Sequence, residues 1–274
     1  MHIHDGQLIF CKPLIMGVLN ITPDSFYDGG VYSTEKEQLI QVEKMLSQGA
    51  DIIDLGAVST RPGAIEISEI EEIARLKPLL ASILRAFGPV TISVDTYRSK
   101  VAHFAINEGA SIINDISAGQ MDDAMFETIQ QLHVPYIMMH IKGTPQTMQN
   151  NPLYINVIEE VSHFLRERAY VLKNKGVNGV IIDPGFGFGK TIEHNFQMMH
   201  QLEKFKDLGF PLLVGISRKS MIYKTLNTSP AFALNGTSVL NTIALLKGAD
   251  ILRVHDVKEA VECINLVSAL NSHA

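Results

Sequence analysis

Eight short apolar runs alternate with longer amphipathic ones along this chain, and a polar or charged residue closes nearly every apolar run. Those two observations predict an α/β fold of the (β/α)₈ TIM-barrel class, in which side chains at strand ends converge on one face. The length agrees: 274 residues with 46% hydrophobic content supply one large core. No linker, low-complexity tract or longer repeat marks a second domain, so residues 1–274 read as a single domain. A doubly wound open sheet is the structural alternative.

The elements follow in order. Residues 3–11 read as a short N-terminal extra strand or hairpin capping the barrel bottom. Strands are expected at 14–19, 51–55, 90–94, 111–114, 136–140, 179–182, 211–216 and 251–255. They are rich in Ile and Val, as strands buried on both faces are. Helices are expected at 35–48, 68–87, 99–108, 122–132, 153–175, 192–208, 220–226 with 231–247, and 257–270. Gly49, Gly109, Gly176, Gly209 and Gly248 stand where helices should stop.

Composition narrows the function. The net charge is −6 and no long basic run occurs, which argues against nucleic-acid or membrane-surface binding. Cys11 and Cys263 imply no disulfide framework and fit a reducing cytosol, so the expected location is cytoplasmic. The first residues lack a basic leader, and the apolar run from Leu14 is too short to span a membrane. His2 and His4 read as part of a solvated first strand.

The segment Asp183-Pro184-Gly185-Phe186-Gly187-Phe188-Gly189-Lys190 follows the apolar run Val180-Ile181-Ile182. A buried strand there would fix the carboxylate, and the glycines would let a ligand approach the backbone. It is not a Walker A loop, because Pro184 occupies the place of the first glycine. It is not a dinucleotide fingerprint either, since Lys190 replaces the last glycine.

The other strand ends carry Asn20, the stretch from Gly56 to Gly63, Asp95, Asn114-Asp115, Met138-Met139-His140, Ser217-Arg218-Lys219 and Arg253-Val254-His255-Asp256. Asp95, Asp183, Asn114 and Lys219 together suit a flat heterocycle with a mixed donor and acceptor edge. Asp95 and Asn114 could instead cap helices. Arg253 and His255 alternate on the last strand and, with Arg61 and Asn20, could hold a phosphate or pyrophosphate with a divalent cation. The competing reading of Arg253 is a structural ion pair, and that of His140 a histidine hydrogen-bonded at the core edge. Loops 20–34 and 58–67 are long and rich in turn residues, so lid behaviour is expected. No Ser-His-Asp or Cys-His arrangement is evident, and a Schiff base on Lys219 leaves the anion clamp unexplained.

Taken together, these motifs resemble the dihydropteroate synthases. The matching segments are Met16 to Phe26, Ser59-Thr60-Arg61-Pro62-Gly63, Ser93-Val94-Asp95-Thr96, Ile113-Asn114-Asp115-Ile116-Ser117, and Met139-His140-Ile141-Lys142-Gly143. The Asp183–Lys190 loop, Gly215-Ile216-Ser217-Arg218-Lys219-Ser220 and Arg253-Val254-His255-Asp256-Val257 complete them. They run in order over nearly the whole chain. Ala57-Val58 departs from the family's usual Gly-Glu.

The resemblance implies joining of 6-hydroxymethyl-7,8-dihydropterin pyrophosphate to p-aminobenzoate with Mg²⁺, in folate biosynthesis, by a homodimer. It implies that Asp95, Asn114, Asp183, Lys219 and Met138 hold the pterin. Thr60, Pro62, Phe188 and Ser220 would shape the p-aminobenzoate pocket, where sulfonamides compete. Arg61, Arg253 and His255 would hold pyrophosphate, and Asn20 would help place the metal. Asp95, Lys219 and Arg61 are the implied catalytic residues. A pterin-binding methyltransferase domain of a corrinoid system is the second reading, and a barrel that only binds pterin or a partner protein is the third.

Overall fold

The computed structural model describes residues 2–4, 7–21, 34–59 and 67–272. Strands β1 (His2–His4) and β2 (Gln7–Ile9) form the expected opening hairpin, antiparallel with His2 opposite Ile9. The barrel strands are β3 (Leu14–Asn20), β4 (Ile52–Gly56), β5 (Ile92–Asp95), β6 (Ile112–Asp115), β7 (Tyr136–Met139), β8 (Val180–Asp183), β9 (Leu213–Val214) and β10 (Ile251–Val254). Their order is β8-β7-β6-β5-β4-β3-β10-β9, all pairs parallel, and a bridge from Ile182 to Leu212 joins the two outer strands. That bridge closes the sheet on itself, so the barrel is formed and the open-sheet alternative is not.

Strand periodicity sorts side chains into two layers. Inward from the strand starts lie Leu14, Met16, Ile52, Ile112, Ile137, Ile181, Leu213 and Ile251, an apolar plug at the bottom of the barrel. Phe10, directly after the hairpin, packs onto this plug. Two residues further along β4, β6, β8 and β10 the inward position turns polar, at Asp54, Asn114, Asp183 and Arg253, and on β5 Asp95 lies at the same level. The outward residues meet the helices in the larger core, which includes Ile15, Leu55, Val94, Met138 and Ile182. At Gly17 a Cβ would stand 2.8 Å from the Met45 sulfur and 3.2 Å from Val257. Glycine there lets helices α1 (Glu35–Ser47) and α10 (Val257–Ser272) close on β3.

The remaining helices are α2 (Glu69–Phe87), α3 (Ser99–Asn107), α4 (Met125–Leu132), α5 (Val157–Asn174), α6 (Ile192–His200), α7 (Glu203–Lys206), α8 (Ser220–Thr225) and α9 (Leu234–Leu246). Several begin later than their apolar patterns suggest, for local reasons. Asn156 accepts from the amides of Ile158 and Glu159, so α5 starts after it and not at 153. Asp122 accepts from Ser99 N at 2.7 Å and so serves the start of α3. The 192–208 stretch breaks at Gln201, which turns Leu202 and Phe205 both into the core. Strand β9 is shorter than 211–216 because Leu212 N donates to the Asp250 carboxylate at 2.7 Å, outside the regular ladder.

A polar knot stiffens the outward side of β6. Asp115 accepts from Ser117 N, Ser117 Oγ and Gly119 N at 2.7 Å each, and from the Tyr136 hydroxyl at 2.6 Å. All lie in the buried layer, so a lost donor is not replaced by water. Tyr136→Phe should lower unfolding stability by about 1–3 kcal/mol. A urea titration checks this: the midpoint should fall with an unchanged slope.

Candidate active site

The polar layer at the strand ends is built around Arg253. Its Nε donates to Asp54 Oδ2 at 2.7 Å and its Nη2 to Asp95 Oδ2 at 2.9 Å. Asn114 Nδ2 donates to the same Asp54 oxygen at 3.3 Å. Asp54 is fully buried, and its other oxygen has no hydrogen-bond partner among the described residues. One guanidinium thus ties β4, β5 and β10 together across the barrel mouth, and Asn114 adds β6.

The electrostatics follow from burial. Asp95 is pushed up to about 7, first by desolvation and then by its carboxylate neighbours, Asp54 foremost, with Arg253 opposing. Asp183 is also raised by burial, against the pull of Lys219, the Gly185 amide and Arg253. Burial brings Lys219 down to about 8 despite Asp183 nearby. Burial alone would lower Arg253 too, but Asp54 and Asp95 outweigh it and hold it above its ordinary value. Asp95 and Lys219 are thus both brought close to neutrality beside a guanidinium that stays charged, a pattern common at functional sites.

Above this layer lies a cavity of about 340 Å³. Asn20, Asp95, Asn114, Asp183, Lys219 and Arg253 line its polar side. Ile116, Met139, Met148 and Phe188 form an apolar flank that continues into a small separate cluster. A flat molecule with one polar edge fits such a space. His255 and Ser220 also line it, and His255 N donates to Ser217 Oγ at 3.3 Å. Arg218 lines it but is committed elsewhere: its fork holds both oxygens of Asp256 at 2.8 Å each.

The Asp183–Lys190 loop forms one wall. Gly185, Gly187 and Gly189 all have positive φ, at 72°, 85° and 66°. A Cβ on Gly185 would lie 2.0 Å from the His140 carbonyl oxygen, so no side chain is tolerated there. Asp183 Oδ1 accepts from Gly185 N at 2.7 Å, which aims the carboxylate. The Lys219 ammonium donates to the Phe186 carbonyl at 2.5 Å and lies 4.8 Å from the centre of the Phe188 ring.

Of the expected site residues, Asn20, Asp95, Asn114, Asp183, Phe188, Lys219, Ser220, Arg253 and His255 meet at this one cavity. Thr60, Arg61 and Pro62 lie outside the described residues, although Val58 and Ser59 just before them line the cavity. Met138 is a correction. It packs in the strand–helix layer, and Met139 faces the cavity instead, because neighbouring strand residues point to opposite faces. Arg253 needs qualifying as well: two of its nitrogens hold carboxylates, as the ion-pair reading expected. Sequence reasoning missed Asp54. Its signal was a lone acid inside the apolar run Ile52-Ile53-Asp54-Leu55, at the same inward parity as Gly56.

A family model for pterin-binding enzymes matches residues 16–255. The chain is 44% identical over 259 residues to the dihydropteroate synthase of Haemophilus influenzae, covering 94% of each. It is 42% identical to that of Escherichia coli, covering 96% of this chain and 93% of the relative. The chain belongs to the dihydropteroate synthase family. The Yersinia pestis dihydropteroate synthase, solved with a sulfonamide drug complex, superposes with a TM-score of 0.92 at 39% identity, covering 97% of both chains. The Xanthomonas albilineans dihydropteroate synthase, solved with 4-aminobenzoic acid, gives a TM-score of 0.87 at 34% identity, covering 95% of this chain and 94% of that one. The motifs that carry the dihydropteroate synthase resemblance are thus the same strand ends that the barrel gathers at its mouth.

The Asp54 bridge gives the site's first test. Asp54→Ala leaves a buried guanidinium with half its carboxylate pairing. Unfolding stability should fall by about 3 kcal/mol, the usual cost of removing one partner of a buried pair. Asp54→Asn keeps an acceptor for Nε and should lose less. Chemical denaturation of both variants checks the order.

Proposed function

We propose a division of labour for the dihydropteroate synthase activity of this chain, in which fixed charges at the barrel mouth do the chemistry and no protein nucleophile takes part. The observation that supports it most is the Asp54–Arg253–Asp95 bridge beneath a cavity sized for one flat bicyclic ring. Asp183 and Asn114 accept from and donate to the pterin's mixed edge, and Lys219 donates to its carbonyl or ring nitrogen. Cleavage of the C–O bond at the pterin methylene releases pyrophosphate and leaves a cation delocalised over the ring. Asp95, held by Arg253, stabilises that cation electrostatically. The amine of p-aminobenzoate, lying against Phe188 and Ser220 with Thr60 and Pro62, then attacks the methylene and loses a proton.

Arg61 and His255 hold the departing pyrophosphate. Arg253 assists through its charge, since its Nε and Nη2 are already engaged. Asn20 suits Mg²⁺: its Oδ1 faces the cavity over Gly56, where a Cβ would approach it to 3.2 Å. A single hard oxygen fits an ion that keeps water and substrate phosphate as its other ligands. When bound there, Mg²⁺ supplies neutralisation of the pyrophosphate charge.

We also propose a cytoplasmic homodimer. Val239, Leu246, Leu266 and Leu270 on α9 and α10 are 51–72% exposed, an apolar face suited to a second copy. Cys11 and Cys263 are both free thiols, and no described helix is long and apolar enough to cross a membrane. The relatives named above are synthases, so the corrinoid methyltransferase and idle-binder readings lose their support.

The pH dependence follows with its sign. Asp95 must be ionised, so turnover should fall as pH drops through about 7. Lys219 must be charged, so turnover should fall as pH rises through about 8. With Mg²⁺ and both substrates, pyrophosphate release should match dihydropteroate identified by mass, and kcat/KM should peak between these limbs. No dihydropteroate from folded, pterin-binding protein would overturn the reading.

A further inference from the structure

Lys190 ends the glycine loop and plays no part in the chemistry above, yet it is only 3% exposed. Its Nζ lies 3.0 Å from His140 Nδ1, 3.2 Å from the His140 carbonyl, 2.9 Å from that of Gly185 and 3.0 Å from that of Phe188. Between β8 and α6 the loop makes one internal turn, Phe188 N donating to the Gly185 carbonyl at 3.1 Å, and its other carbonyls need donors from elsewhere. Side chains take all five in succession. Lys190 takes Gly185, Lys219 takes Phe186, Gln149 takes Gly187, Lys190 takes Phe188, and Tyr154 takes Gly189. Lys190 is the member that holds two of them at once, from outside the cavity lining.

We propose that Lys190 is a positioning residue for the p-aminobenzoate side of the site: from outside the cavity lining it locks the loop in the shape that presents the Phe188 ring, with His140 as its acceptor. This rests on the proposed division of labour, in which Phe188 borders the attacking amine. The lock requires one state of the histidine. An Nδ1 that accepts from an ammonium carries no proton, so the ring's hydrogen sits on Nε2. Burial and the Lys190 charge both act against protonating His140, and Phe164 packs edge-on to its ring with centroids 5.0 Å apart. Lys190 itself is lowered by burial, with Asp183 opposing, so the lock depends on the surrounding acceptors to stay charged.

Lys190→Met keeps the length and removes the donors. It should raise KM for p-aminobenzoate about tenfold or more while direct binding of the pterin pyrophosphate, measured calorimetrically, changes less than about threefold. Asp95 and Asn114 come from other strands and stay in place, Asp183 is fixed by β8 itself, and Lys219 is held by the Phe186 carbonyl, which Lys190 does not touch. An unchanged KM with only a lowered melting temperature would overturn the proposal, and so would an equal loss for both substrates. If the variant does not fold, nitrogen-15 NMR of histidine-labelled wild type reads the lock directly. His140 should remain neutral, with its proton on Nε2, from pH 5.5 to pH 8, and a ring that titrates or carries its proton on Nδ1 would overturn it. Wild type that makes no dihydropteroate would instead sink the functional reading and leave this NMR signature standing.

Discussion

A guanidinium inside a barrel mouth is costly to desolvate, and Arg253 is there only because two carboxylates face it. That requirement organises the site. It places an acid on β4 and another on β5, and it sets β10 between β3 and β9 with its inward position charged. Asn114 on β6 is oriented by the same Asp54 oxygen. Both carboxylates are held by the guanidinium itself, so the proposed mechanism needs no reorganisation when positive charge develops above them. Electrostatic preorganisation of this sort is the largest resource an enzyme without a nucleophile has.

The same strands serve stability and chemistry by dividing along their length. Their starts fill the barrel with Leu, Ile and Met, and their ends carry the charges. The apolar plug and the strand–helix layer offset the cost of burying Asp54, Asp183 and Arg253 a few ångströms above them. The glycine loop extends the logic to backbone. Three glycines at positive φ let it lie against the His140 carbonyl and beside the Lys219 stem, and side-chain donors satisfy what the turns leave exposed.

Much of this was legible in the sequence. Alternating apolar and amphipathic runs identified all eight strands, and polar residues at their ends identified the functional face. Alternation was legible in the single letters, as at Arg253 and His255, but they did not show which of two neighbours on β7 faces inward, and that decides that Met139 and not Met138 meets the cavity. Nor did they show partners far apart in the chain. Arg253 and Asp54 are 199 residues apart, so both the ion-pair and the anion-clamp readings of Arg253 were open until the strands were placed side by side. Asp54 escaped notice because it sits in mid-strand, where an acid has no local signal beyond its oddness among Ile and Leu. The start of α5 after Asn156 depended on a side-chain cap that apolar periodicity does not record, whereas α4 starts at Met125 with no side-chain cap.

The central claim is that this layer stabilises a pterin cation formed before the amine attacks. Oxygen-18 placed in the bridge between the pterin methylene and the first phosphorus tests it most directly. Incubation with Mg²⁺ and no p-aminobenzoate should move the label into the non-bridging positions of recovered substrate, because reversible cleavage makes those oxygens equivalent. Asp95→Asn should suppress that exchange. A label that never moves, in a wild-type enzyme that still makes dihydropteroate with p-aminobenzoate present, would contradict the claim and favour direct displacement by the amine.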